Sequence, residues 1–137
     1  MNNLQNVITL NAGYGKDSKI LVSDSKITSN ASSLIASNDG GNEIPIYSLK
    51  TLLNEYKIED AILKMDCEGC EYNLLEEDDE DLMKFRMIQI EYHYGFEKIK
   101  EKLEQSGFKA NYTQPVKFYN SDASNPNMVL GYIYAKR

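Results

Sequence analysis

The sequence predicts an α/β protein with a largely parallel sheet. Short apolar runs typical of strands alternate with helical patterns in the middle of the chain, and two further strand-like runs form an antiparallel pair at the end. A chain of 137 residues is long enough for one domain with its own core. We therefore expect a single domain over residues 1–137.

The first part of the chain contains three candidate strands and one long loop. Val7–Leu10 is an apolar run followed by a glycine-containing turn, and Ile20–Val22 is a second short apolar run. Small polar and turn-forming residues dominate positions 23–42, which predicts a mobile loop. Ile44–Tyr47 is expected to be extended, because the residue before Pro45 avoids the helical region.

The remaining elements follow from periodicity and capping. Ser48 is the predicted N-cap of a helix, and the apolar face of that helix carries Leu49, Leu52, Leu53 and Tyr56. A second helix is expected to begin near Gly69. The other predicted elements are strands at Ala61–Met65 and Met87–Tyr92, a helix from Phe96 to Ser106 stopped by Gly107, and final strands at Phe108–Tyr112 and Met128–Tyr134.

Composition argues against several classes of function. The net charge of −6 is unfavourable for a nucleic-acid binder, which needs a basic face. No apolar run approaches the roughly 20 residues of a membrane span, and the first residues do not resemble a signal peptide. We therefore expect a cytoplasmic protein without a nucleic-acid or membrane partner.

The stretch ILKMDCEGCEYNLL, residues 62–75, is the densest group of candidate functional residues. Asp66 stands directly after an apolar strand, at the end where open α/β sheets bind ligands. Glu91 and His93 stand at the corresponding end of the next strand. If the two strands are neighbours, Asp66, Glu68, Glu91 and His93 gather at one rim, which suits acid–base chemistry or metal binding.

Each of these residues also has a simpler interpretation. Glu68 and Glu71 are acids in the first turn of a predicted helix, where the helix dipole favours negative charge. His93, the single histidine, could be structural. Cys67 and Cys70 are best explained as two small buried cysteines, since a zinc site needs four ligands and the thioredoxin-type setting is lacking.

The segment LKMDCEGCEYNLL resembles the Leu-Lys-Ile-Asp-x-Glu-Gly-x-Glu signature of the FkbM family of methyltransferases, with Met65 in place of isoleucine. The segments IPIYSLKTLLNEY, IQIEYH and SGF continue the resemblance in the family's order over nearly the whole chain. The resemblance implies a Rossmann-like methyltransferase sheet. It also implies S-adenosylmethionine as methyl donor and, usually, methylation of oxygen.

The same resemblance implies roles for individual residues. Asp66 would face the transferred methyl group, and Asn11 and Ala12 match the strand end near the adenine of the cofactor. The acceptor side would be lined by Glu68, Glu71, Glu91 and His93. A base there could deprotonate an acceptor hydroxyl, or the acids could hold a divalent cation. We assign no residue to a metal site on this basis.

Two parts of the family pattern are not visible in the sequence: the Gly-rich loop after the first strand and the ribose-binding acid after the second. Residues 13–15 read Gly-Tyr-Gly, but they precede a polar loop rather than a helix. We therefore expect a sheet without its first two strands, a partial methyltransferase-like domain, and weak or no binding of S-adenosylmethionine.

The absence of those strands would leave Ala61–Met65 as an exposed apolar edge, which favours a homodimer. Two functions stay open. The chain could be a methyltransferase that acts on a small-molecule or glycan hydroxyl, or an inactive truncated form of one. Alternatively, it could be a non-enzymatic methyltransferase-like module for interaction or dimerisation.

Overall fold

The computed structural model describes residues 5–22, 41–117 and 128–137, and these residues form two β-sheets with three α-helices and one 3₁₀ helix. The loop predicted at positions 23–42 lies almost wholly outside the described residues. Asn42, its last residue, already belongs to a strand. The α/β class predicted from the sequence is confirmed.

The first sheet is built from the early part of the chain. Its strands are β1 (Gly13–Tyr14), β2 (Ser18–Val22) and β3 (Asn42–Tyr47), in the order β1-β3-β2. Strand β3 pairs parallel with β1 and antiparallel with β2. The predicted extended segments at Ile20–Val22 and Ile44–Tyr47 are therefore both confirmed.

The prediction of a strand at Val7–Leu10 is wrong. These residues have no regular secondary structure, and the side chains of Val7, Ile8 and Leu10 are 55%, 71% and 45% exposed. An apolar run becomes a strand only when a neighbouring strand satisfies its backbone groups. Among the described strands, none pairs with this segment.

The second sheet contains the later strands and most of the core. Four strands lie in the order β4-β5-β8-β6, and a fifth, β7, pairs with β8. Their bounds are β4 Ala61–Met65, β5 Phe85–Tyr92, β6 Lys109–Tyr112, β7 Val116–Lys117 and β8 Val129–Lys136.

The expectation of one largely parallel sheet is also wrong. In the second sheet, β4 and β5 pair parallel, but β8 runs antiparallel to β5, β6 and β7. The last strand enters between β5 and β6, so that the predicted antiparallel pair at the end of the chain is present within the sheet. Strand order depends on contacts between distant residues, which local periodicity does not reveal.

The helices begin and end close to the predicted positions. The first, α1 (Leu49–Tyr56), is capped by Ser48, whose Oγ accepts a hydrogen bond from the Thr51 backbone N–H at 3.1 Å. A 3₁₀ helix, Cys70–Glu76, follows β4 and leads into the short α2 (Asp79–Leu82). The last helix, α3, covers Glu97–Gln105.

The core lies between the second sheet and its helices. Ile99 and Leu103 of α3 are fully buried, and so are the inward-facing residues of β5 and β8. Buried apolar area of this kind is the main stabilising contribution to a small domain. The fully buried apolar side chains are Leu74, Leu82, Ile88, Ile90, Tyr92, Ile99, Leu103 and Ile133.

Strand β4 lies at the edge of the second sheet, as the sequence predicts for Ala61–Met65. Ile62 is 55% exposed, whereas Leu63 packs against the core and Met65 is buried. None of the helices in the described ranges is long and apolar enough to cross a membrane.

Candidate functional site

The parallel pairing of β4 and β5 places the ends of both strands at one rim of the second sheet. Met65 pairs with Ile90, so the next residues along each strand, Asp66 and Glu91, are side by side. His93 follows one residue after the end of β5. The structure therefore brings together the candidate residues that the sequence placed on this rim.

A buried pair of side chains, Glu71 and His93, forms the centre of the site. Glu71 is 0% exposed and His93 is 1% exposed. Glu71 Oε1 lies 2.9 Å from His93 Nδ1 and accepts a hydrogen bond from the His93 backbone N–H at 3.0 Å. Glu71 lies in the first turn of the 3₁₀ helix, so its predicted position at a helix start is confirmed. Its carboxylate is enclosed and holds the imidazole.

This contact fixes the orientation of the His93 imidazole. An ionised carboxylate can only accept hydrogen bonds, so a neutral imidazole in this contact carries its proton on Nδ1 and has its lone pair on Nε2. Glu71 Oε2 accepts a further hydrogen bond from the Gly69 backbone N–H at 2.8 Å. Three N–H groups thus converge on one buried carboxylate, which compensates the cost of burying it.

Glu68 lies on the other side of the imidazole. Its Oε2 is 3.5 Å from His93 Nε2, and its side chain is 32% exposed. The backbone of Glu68 has φ +54°, and that of Gly69 has φ +116°. Glycine adopts such values freely, but a glutamate in the left-handed region is uncommon and is held there by its surroundings. The turn therefore aims the Glu68 carboxylate at His93.

The outer part of the site is a group of potential metal ligands. Asp66, Glu91 and His93 each offer one ligand atom, and these atoms lie within 4.8 Å of one another. Asp66 is exposed and has Lys64 Nζ 4.0 Å from its Oδ2. Carboxylate oxygens and an imidazole nitrogen are suitable ligands for several divalent metals.

Tyr132 is a site neighbour that the sequence did not predict. It pairs with Glu91 across β5 and β8. The negative charge of Glu91 raises the pKa of Tyr132, with smaller contributions from burial and from a hydrogen bond to the same carboxylate. The position of β8 beside β5 brings these residues together, and no motif in the sequence indicates it.

Tyr72 is a second residue that sequence reasoning missed. Its hydroxyl donates to the Gly95 carbonyl at 2.6 Å and accepts from the Tyr94 backbone N–H at 2.9 Å. Burial raises the pKa of Tyr72 to about 12. Tyr72 therefore ties the 3₁₀ helix to the loop after β5 that carries His93.

The two cysteines differ from the prediction of free buried thiols. Cys67 and Cys70 form a disulfide that closes a ring around Glu68 and Gly69. Both cysteines are half-buried. The Sγ of Cys67 lies 3.6 Å from Glu71 Oε2, but a disulfide sulfur has no proton to donate to it. The pair thus belongs to the same loop as the catalytic candidates.

The residues predicted to contact the cofactor lie beside strands of different sheets. Asp66 lies at the rim of the second sheet, whereas Asn11 and Ala12 precede β1 of the first sheet. Asn11 is exposed and Ala12 is half-buried. The Gly-x-Gly segment at residues 13–15 leads into strand β2 and not into a helix, so it lacks the helix N-terminus of a nucleotide-binding loop.

A separate cleft of about 370 Å³ lies between the N-terminal segment and α1. Its lining is mostly apolar, and it contains none of the predicted site residues. For that reason we place the chemistry at the rim of the second sheet and not in this cleft. The lining residues are Asn6, Ile8, Leu10, Leu52, Tyr56 and Ile58.

Comparison with known proteins agrees with the signature at the site. No curated protein and no solved structure matches the chain significantly. The family model of the methyltransferase FkbM domain matches residues 2–110, a range that includes all the candidate site residues. The chain is therefore a member of the FkbM methyltransferase domain family.

Proposed function

We propose that this protein transfers a methyl group from S-adenosylmethionine to a hydroxyl of a small molecule or glycan. The membership of the methyltransferase family supports the reaction type. The observation that carries the choice of oxygen is the Glu71–His93 pair, because it leaves one imidazole nitrogen, Nε2, able to accept a proton. A hydroxyl must lose its proton to become a methylated ether, so it needs such a base.

In the proposed mechanism, His93 acts as the general base. Its Nε2 accepts the proton of the acceptor hydroxyl, and Glu71 and Glu68 stabilise the imidazolium that results. The Glu71 hydrogen bond keeps the imidazole in the productive orientation throughout. The arrangement is that of a base oriented by a third group, which general-base catalysis uses widely.

S-adenosylmethionine, when bound, supplies an electrophilic methyl group. Among the described residues, the exposed carboxylate of Asp66 fits a contact with this donor, as the family signature implies. Asn11 and Ala12 fit less well, since they lie just before strand β1 of the first sheet. The set of residues in this chain that fit a contact with S-adenosylmethionine is therefore incomplete. We expect the chain's own residues to orient the acceptor hydroxyl more than the methyl donor.

A divalent cation is a second candidate for activating the hydroxyl. The compact group of Asp66, Glu91 and His93 supports it. A cation held there would lower the pKa of a bound hydroxyl and position it. This role and the general-base role compete for the same imidazole nitrogen, because Nδ1 already bonds Glu71.

The alternative, a non-enzymatic module, is supported by different observations. The Gly-x-Gly segment enters a strand, and β4 is an edge strand of its sheet among the described residues. In that case the acids of the rim would stabilise the loop and would not perform chemistry. Measurement of methyl transfer separates the two functions.

The decisive experiment measures transfer of a labelled methyl group from S-adenosylmethionine to sugar, lipid and polyketide-like hydroxyl acceptors. At S-adenosylmethionine concentrations high enough to fill a weak site, we expect product with the wild type and a loss of about 100- to 10,000-fold in the His93→Gln variant, the usual contribution of a general base. Glu101→Gln, which removes an exposed carboxylate from α3, serves as the control and should keep the wild-type rate.

Addition of EDTA to the same assay tests the cation. Loss of product with EDTA and recovery with Mn²⁺ or Mg²⁺ would support the cation role, whereas no effect would support His93 as the base. Absence of product with every acceptor, together with unchanged folding, would favour the non-enzymatic module.

A further inference from the structure

The Cys67–Cys70 disulfide lies inside the candidate site, yet the proposed mechanism does not use it. In the family signature Asp-x-Glu-Gly-x-Glu, the two unspecified positions are the two cysteines of this chain. The disulfide therefore closes a four-residue ring at the point where β4 ends and the 3₁₀ helix begins. Both residues inside the ring contribute to the surroundings of His93.

The ring holds two contacts that reach His93. Glu68 has φ +54° and places its Oε2 3.5 Å from Nε2 of the imidazole. Gly69 has φ +116° and donates its backbone N–H to Glu71 Oε2 at 2.8 Å. Glu71 in turn bonds Nδ1 of the same imidazole. A change in the ring would thus act on both sides of His93.

Opening of the ring would change these contacts in two ways. It would release Glu68 from a conformation that residues with a Cβ rarely adopt. It would also give Cys67 a proton, and the Cys67 sulfur is already 3.6 Å from Glu71 Oε2. A thiol at that position can donate to the oxygen that now accepts from Gly69, so the two donors would compete.

We propose that the Cys67–Cys70 pair is a redox switch that sets the geometry of His93. A dithiol reductant supplies two electrons and two protons. One of its thiolates attacks the sulfur of one cysteine, which forms a mixed disulfide and releases the other cysteine as a thiolate that takes up a proton. The second thiol of the reductant then attacks the reductant's own sulfur in the mixed disulfide and displaces the first cysteine. The S–S bond of the protein breaks, two cysteine thiols form, and the reductant leaves as a disulfide.

In this proposal, the oxidised protein keeps the contacts of Glu68 and Gly69 around His93, and the reduced protein loses them. Disulfides of cytoplasmic proteins are usually transient and respond to the redox state. In the cytoplasmic location predicted from the sequence, both forms would therefore occur. The consequence for methyl transfer rests on the proposed function, but the change around His93 can be measured without any activity.

The test uses nuclear magnetic resonance of the whole chain, before and after treatment with excess dithiothreitol. Alkylation of the thiols and mass spectrometry establish that the disulfide has been cleaved. His93 is the single histidine, so its imidazole gives one assignable set of signals. We expect a second set after reduction, and its reversal on reoxidation with oxidised glutathione.

The amide of Gly69 gives a second readout. Its hydrogen exchange should become faster by about tenfold or more on reduction, as expected for the local loss of a protecting hydrogen bond. The amide of Leu103, in the buried face of α3, should keep its exchange rate. The double variant Cys67→Ser/Cys70→Ser should show the reduced-type spectrum without dithiothreitol and should not respond to it.

Three results would overturn the proposal. The first is a disulfide that dithiothreitol cannot cleave in the folded protein. The second is a cleaved disulfide with unchanged signals from His93 and Gly69. The third is equal acceleration of exchange at Gly69 and Leu103, which would indicate general destabilisation of the fold. None of these results depends on whether the chain methylates an acceptor.

Discussion

Tyr92 and Gly131, which pair across strands β5 and β8, fit together because Gly131 has no side chain. The Tyr92 ring lies over Gly131, and a Cβ built on this glycine would overlap the Tyr92 hydroxyl and ring carbons. The hydroxyl itself donates to the Thr113 carbonyl at 2.9 Å. Since Tyr92 immediately precedes His93, this close packing also supports the site.

We therefore expect Gly131→Ala to destabilise the protein. The added methyl group must displace a fully buried tyrosine ring, and overpacking of this kind typically lowers the free energy of unfolding by about 1–3 kcal/mol. Urea denaturation followed by circular dichroism measures the effect. Lys136→Ala, at an exposed position of strand β8, should change the free energy of unfolding by less than about 0.5 kcal/mol. Equal stability of Gly131→Ala and wild type would show that the ring can move away at no cost.

The second prediction concerns the tautomer of His93. Glu71→Gln keeps the size of the side chain but replaces one carboxylate oxygen with an amide group that can donate. The Nδ1–H tautomer then loses its exclusive advantage, so we expect the ¹⁵N signals of the imidazole to move towards a mixture of tautomers. The free energy of unfolding should fall by about 1–3 kcal/mol, because buried donors lose a charged acceptor.

Glu101→Gln is the matched control for this measurement, since it makes the same chemical change on the exposed face of α3. Unaltered imidazole signals in Glu71→Gln would mean that the carboxylate does not determine the tautomer. The positioning role assigned to Glu71 would then have to be abandoned.

The third prediction is that the 137-residue chain binds S-adenosylmethionine weakly or not at all. The physical reason is that no Gly-x-Gly turn in the described part of the chain leads into a helix, which would present backbone N–H groups to the cofactor. The only Gly-x-Gly segment, at residues 13–15, enters strand β2 instead. Isothermal titration calorimetry is the measurement, and a low-micromolar Kd would contradict the prediction.

Sequence reasoning succeeded where the signal is local. Ser48 is followed by an amphipathic helical pattern, so the cap and α1 could be predicted together. The rim of Asp66, Glu91 and His93 could also be predicted, because each follows an apolar run and neighbouring parallel strands end on the same side. To use these signals, it is enough to assume that the strands now called β4 and β5 are parallel neighbours.

The failures concern contacts between distant parts of the chain. Val7–Leu10 is as apolar as a strand but pairs with no strand of either sheet. Its composition therefore predicted a strand that does not form. The pairing of Tyr132 with Glu91 follows from the insertion of β8 beside β5, which periodicity cannot show. The spacing of Cys67 and Cys70 permits free thiols, a metal site or a disulfide, and sequence alone could not choose between them.

The fourth prediction is that the cysteines bind no stoichiometric zinc. In the disulfide the two sulfurs are bonded to each other, and zinc requires thiolates. Elemental analysis of protein purified without chelator should therefore find no zinc held by the cysteines. If one zinc per chain is found, the Cys67→Ser/Cys70→Ser variant decides its location. Loss of the zinc in that variant would contradict us, whereas its retention would direct attention to Asp66, Glu91 and His93.

The last prediction is self-association through strand β4. Among the described strands, β4 pairs only with β5, so its outer edge presents backbone donors and acceptors together with the exposed side chain of Ile62. The segment Val7–Leu10 does not pair with this edge, because it belongs to neither sheet. Pairing of two β4 strands about a two-fold axis would satisfy both copies at once.

Light scattering at several protein concentrations should show a dimer, and Ile62→Lys should shift the equilibrium towards the monomer by placing a charge in the contact. Ile62 is a better test position than Leu63, which packs against the core and would affect folding as well. Val116→Lys, at an exposed position on β7, is the control and should leave the dimer intact. A monomeric mass at every concentration would exclude the dimer, and a dimer that persists in Ile62→Lys would place the interface on another surface.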